Sequence, residues 1–125
     1  MFSSFNSVRA VVTLFHSPTS SASRRILQFL KIHAADTKIQ NFDLQVTEAN
    51  PTKDQLKTIL NYVGQAKIGA IVPGAGTYNE AAGLLEKGSS LAVLRPMVVD
   101  WVNGKAVLGD DEEGVKKLVA GLEHK

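Results

Sequence analysis

The residues best suited to chemistry lie together in His16-Ser17-Pro18-Thr19-Ser20-Ser21-Ala22-Ser23-Arg24. Ser20 as a nucleophile needs a base beside it, because a serine hydroxyl is weak at its free pKa. His16, at the end of an apolar run, is the nearest base, but no third residue suggests itself to orient the imidazole. The same hydroxyls suit an ordinary helix cap, where Ser and Thr satisfy first-turn amides. Free N–H groups at such a helix start favour an anion or carboxylate. The chain has no cysteine, which removes disulfides, thiolate catalysis and Cys-ligated zinc or iron–sulfur centres. His16, His33 and His124 are too scattered for a metal site, so neither metal nor cofactor is expected. Asp110–Glu113 lacks the glycine and alternation of a calcium loop and reads as helix-start electrostatics. Gly69–Thr77 has the outline of a phosphate loop. However, Ala75 stands where lysine belongs, and Asn79 where a dinucleotide fingerprint wants glycine. It reads as a loop joining helices.

These residues must be positioned by an alternation of strands and helices. Val8–Phe15 is β-branched and apolar and predicts a buried strand. Ser20 to Ala34 carries Ile26, Leu27, Phe29 and Leu30 at helical spacing behind Pro18. Ile39–Val46 alternates Phe42, Leu44 and Val46 with polar residues, as in a half-buried strand. Asn50-Pro51-Thr52 opens a helix bearing Leu56, Ile59, Leu60 and Val63, which Gly64 ends. A glycine-rich loop over 69–76 and a helix over Thr77–Lys87 follow. Leu91–Val102 contains a strand interrupted at Pro96, and Asn103-Gly104 signals a two-residue type I′ hairpin turn. Lys105–Leu108 returns, and Asp110–Leu122 closes as an amphipathic helix. The order β-α-β, helical insert, β-β-α predicts an α/β fold: a four-stranded mixed sheet flanked by helices. Trp101 is expected in the core.

The length of 125 residues fits one domain over 8–125, with residues 1–7 as a flexible tail. Fourteen basic against twelve acidic residues give a net charge of +2, too even to call for nucleic acid as partner. No apolar run approaches the roughly 18–20 residues of a membrane span, so no membrane insertion is expected. The Ser-rich start holds Arg9 and no acidic residue before Asp36, a bias similar to a mitochondrial presequence. The expected location is mitochondrial, or otherwise cytoplasmic.

The element order resembles a thioredoxin fold, and His16 to Arg24 resembles the His-Asn-Pro-x-Cys-x-x-Ser-Arg loop of the arsenate reductase/Spx branch. Leu94-Arg95-Pro96-Met97-Val98-Val99 with Gly104-Lys105-Ala106-Val107-Leu108-Gly109 resembles that branch's Arg-Pro-x-Val-Val…Lys-x-x-x-Gly run. Thr52-Lys53-Asp54-Gln55-Leu56 resembles its helix start. The spacing, with Val99-Asp100-Trp101-x-Asn103, is also similar to a fungal family of mitochondrial redox proteins with a thioredoxin-like fold. The resemblance implies an oxidoreductase lineage and puts the Arg95-Pro96 loop, its proline cis, beside the start of the first helix. Ser17, Ser20, Ser21, Arg24, Arg95 and Pro96 would then form one site for glutathione, a peptide or a small anion, with a protein partner as a further possibility. Ser20 departs from the pattern, for it stands at the position of the nucleophilic cysteine. A hydroxyl forms no mixed disulfide, so thiol-dependent activity is not expected, and a non-catalytic binding module is the alternative reading.

Overall fold

The computed structural model describes residues 10–35, 42–87 and 93–123. The expected tail over 1–7, the strand starts at Val8, Ile39 and Leu91, and His124 lie outside the described residues. Among those described, four strands and five helices occur in the order β1 (Ala10–Phe15), α1 (Ser21–Ala35), β2 (Phe42–Thr47), α2 (Lys53–Val63), α3 (Ile68–Ile71), α4 (Tyr78–Glu86), β3 (Met97–Asp100), β4 (Lys105–Leu108) and α5 (Glu112–Glu123). A short 3-10 turn over Gln65–Lys67 joins α2 to α3. The sheet order is β2-β1-β3-β4. Strands β1 and β2 run parallel, from Ala10 opposite Phe42 to Phe15 opposite Thr47. Antiparallel pairing joins β1 to β3 and β3 to β4. This is the expected four-stranded mixed sheet.

Period-2 alternation divides the strand residues between two cores, one on each face of the sheet. Phe15, Met97 and Val99 meet Leu56, Ile59 and Leu60 of α2 and Ile71 of α3. Val12, Leu14 and Val98 meet Ile26 and Leu30 of α1 and Val115 and Val119 of α5. All four residues of β3 are therefore buried. On the edge strand β2 the alternation fades: Phe42 is buried, Leu44 half-buried, and Val46 43% exposed.

Local signals fix the helix starts. Thr52 caps α2 in a full capping box: its Oγ1 accepts from Gln55 N at 3.0 Å, and Gln55 Oε1 accepts from Thr52 N at 2.9 Å. Gly64, with φ of 101°, ends that helix in a conformation that favours glycine. The expected loop over 69–76 is partly helical, since Ile68 and Ile71 are buried and draw one turn of α3 onto the core. The irregular part is Val72–Gly76.

The hairpin also differs from its expected form. Asp100 pairs with Lys105, so four residues, Trp101 to Gly104, make the turn. Only Gly104 of these has positive φ, at 70°. A type I′ turn needs positive φ at Asn103 as well. The buried Asp100 carboxylate selects the longer loop, since its Oδ1 accepts from Val102 N at 3.1 Å and from Asn103 N at 3.0 Å. Trp101 is half-buried in this turn and donates its Nε1–H to Thr13 Oγ1 at 2.8 Å.

Candidate functional site

The loop after β1 and the start of α1 carry most of the chemistry-bearing residues, and hydrogen bonds fix their arrangement. Ser20 caps α1: its carbonyl accepts from Arg24 N at 3.0 Å and its Oγ from Ser23 N at 3.1 Å. Its hydroxyl is thus committed to the helix start, and its own N–H donates to Ser17 O at 3.1 Å. His16 does not pair with Ser20 as the sequence suggested. Its Nδ1 lies 2.6 Å from Ser23 Oγ, which also accepts from Ser17 N at 3.0 Å. Ser23 Oγ thus joins the His16 imidazole to the Ser17 amide. Ser23 is wholly buried and His16 6% exposed, so this pair is a lock between loop and helix. The sequence signal for it was the i, i+3 spacing of Ser20 and Ser23: a capping Ser20 turns toward Ser23 N, and it is Ser23 that turns inward.

An open cleft of about 360 Å³ lies beside this loop, lined by His16, Ser17, Pro18, Thr19, Glu48, Val93 and Arg95. Two expected site residues, Ser17 and Arg95, therefore share it. Arg95 stands immediately before a cis peptide bond to Pro96. Its Nη1 donates to His16 O at 3.3 Å, and its Nη2 to Ala49 O and Asn50 Oδ1, each at 3.0 Å. One guanidinium thus ties together the loops after β1 and β2 and the segment before β3, which suits its rigid fork of donors. Burial pushes the Arg95 pKa down, while the Glu48 carboxylate acts in the opposite sense. The group stays charged at neutral pH.

The other expected residues stand apart from the cleft lining. Ser21 is exposed on α1. Arg24 is also exposed and donates from Nη1 to Pro18 O at 2.8 Å, bracing the loop from outside. Arg25 turns to α5, where its Nε meets Glu112 Oε2 at 3.1 Å. Pro96 is buried, and its carbonyl accepts from Gly109 N at 2.9 Å. Sequence reasoning missed Glu48, which the parallel pairing of β1 and β2 brings to the cleft just beyond Thr47. Among the described residues no three His, Asp or Glu side chains cluster as metal ligands. No helix there is long and apolar enough to cross a membrane.

The β2-β1-β3-β4 order, with a cis proline opening β3 beside the loop that starts α1, defines a thioredoxin-like α/β domain. Its structure resembles arsenate reductase from Vibrio cholerae with a TM-score of 0.61 and 24% identity, over 88% of this chain and 98% of that one. The chain belongs to the family described as "Protein of unknown function (DUF1687)", whose model matches residues 2–110. A relative in Schizosaccharomyces pombe, 37% identical over 70 residues, is named "Putative redox protein fmp46, mitochondrial". That match spans 56% of this chain and 57% of the relative's length, little more than half of either.

Proposed function

We propose that this chain is a thiol-free member of a mitochondrial redox-protein lineage, one that binds a small extended ligand in the His16–Arg95 cleft and exchanges no disulfide itself. The observation that carries this reading is the commitment of Ser20: where the related loop pattern has a nucleophilic cysteine, a serine hydroxyl serves as the cap of α1. With no cysteine in the protein, no residue here can take up a mixed disulfide. The mitochondrial part rests on the name of the fission-yeast relative.

The charge pattern of the cleft narrows the ligand class. Arg95 spends donors on three protein oxygens, and Glu48 adds a carboxylate to the same lining. An isolated oxyanion would meet a partly satisfied cation and a nearby negative charge. A ligand with a separate amino group and carboxylates, such as glutathione or an extended peptide, matches better. The test pairs two measurements on the full-length protein. Hydroxyethyl disulfide reduction with glutathione should run no faster than buffer, while calorimetry should detect glutathione binding and no phosphate binding. Turnover above buffer would overturn the thiol-free reading, and absence of glutathione binding the ligand assignment.

A further inference from the structure

Asn103-Gly104 has a chemistry apart from its role in the turn. When glycine follows asparagine, no Cβ hinders the glycine amide from approaching the asparagine Cγ. Attack by Gly104 N on Asn103 Cγ forms a cyclic imide, breaks the Cγ–Nδ2 bond and releases ammonia. Water then opens the ring to aspartate or isoaspartate, so the net change is amide plus water to acid plus ammonia, with no redox step. Asn103 is exposed, so water reaches it.

We propose that Asn103 is a deamidation site held in check by the folded hairpin, and that Asp100 is the residue restraining it. Asp100 engages each participant in the reaction. Its carbonyl accepts from Gly104 N at 3.1 Å, so the attacking nitrogen is tied back toward β3. Its Oδ2 accepts from Asn103 Nδ2 at 2.8 Å, which anchors the nitrogen that must leave. Its Oδ1 accepts from Asn103 N at 3.0 Å and fixes the backbone between them. Tyr62 closes the far side: a Cβ at Gly104 would sit 3.4 Å from its ring, and its hydroxyl donates to Trp101 O at 3.1 Å. Reaction therefore requires the loop to open first. The product also disturbs the turn. The new carboxylate at 103 takes the place of an N–H donor to Asp100, itself only 1% exposed, so repulsion between like charges loosens the hairpin further.

The test follows acid formation at position 103 by peptide mass spectrometry during mildly alkaline incubation of the full-length protein. Native protein should react roughly tenfold more slowly, or slower still, than the same protein unfolded in urea, because the reactive geometry needs local opening. Asp100→Asn, which keeps the side-chain shape but puts an amide against Asn103, should raise the native rate severalfold. Equal rates in folded and unfolded wild-type protein would overturn the proposal. So would a folded D100N variant reacting at the wild-type rate. If D100N does not fold, the comparison of native and unfolded wild-type protein decides the matter alone.

Discussion

Replacing Ser23 by alanine should damage the protein more than replacing Ser20, the residue at the start of α1 that the sequence pattern singled out. The Ser23 hydroxyl is fully buried and joins His16 Nδ1 at 2.6 Å to Ser17 N at 3.0 Å. Removing it leaves a buried imidazole nitrogen and a half-buried amide without that partner. Stranding a buried polar group costs about 1–3 kcal/mol, and the half-exposed Ser17 amide recovers part of its loss from water. Ser23→Ala should therefore cost about 2–3 kcal/mol, whereas Ser20→Ala removes one cap and should cost about 1 kcal/mol. At this length roughly 4 °C of melting temperature accompanies each kcal/mol. The expected drops are then about 10 °C for Ser23→Ala and about 4 °C for Ser20→Ala. Urea unfolding at neutral pH, read from Trp101, the single tryptophan, gives both free-energy losses, with unchanged m if only native stability has altered. A Ser23→Ala variant as stable as Ser20→Ala would refute the buried lock. So would an alanine at 23 with the wild-type midpoint.

Further outcomes follow from the same hydrogen bonds. Arg95→Met should lose about 2–3 kcal/mol by freeing three oxygens from a charged donor, and Arg95→Lys should not restore it, since an ammonium cannot fork across three loops; thermal melts decide, and full rescue by lysine would contradict the clamp. Ser20→Cys should acquire a thiol that titrates below the ordinary value of about 8.5, with Ser23 N as donor at the start of α1. Thiolate absorbance against pH would reveal an unshifted titration if that geometry is wrong. Thr52→Ala should cost about 1 kcal/mol through loss of the capping box, measured by urea unfolding. Glu48→Gln should weaken glutathione binding severalfold without lowering stability, because Glu48 is exposed; equal calorimetric affinity would remove it from the ligand's recognition.

The strand and helix order was legible because β-branched runs, Pro18 and the Thr52–Gln55 box act locally. What the sequence left open depends on geometry between distant segments. The hairpin length turned on the Asp100 carboxylate reaching Val102 N and Asn103 N, an interaction that outweighs the Asn-Gly preference for a shorter turn. The turn of α3 formed inside a glycine-rich stretch because Ile68 and Ile71 had a core to enter. Within the site, Ser17 and Arg95 line one cleft, yet His16 found Ser23 in place of Ser20. Serines three residues apart at a helix start look alike on paper, and only the packing of α1 against β1 decides which turns inward. Glu48 was invisible for a similar reason, since only the register of β2 against β1 carries it to the cleft.

Mapping backbone amide shifts by NMR as glutathione is added tests most directly whether the cleft beside α1 holds the proposed ligand. Movement concentrated at Ser17, Thr19, Glu48 and Arg95, saturating with ligand, is the predicted result. Silence at those four amides, or a response gathered on the opposite edge around β4 and α5, would contradict it.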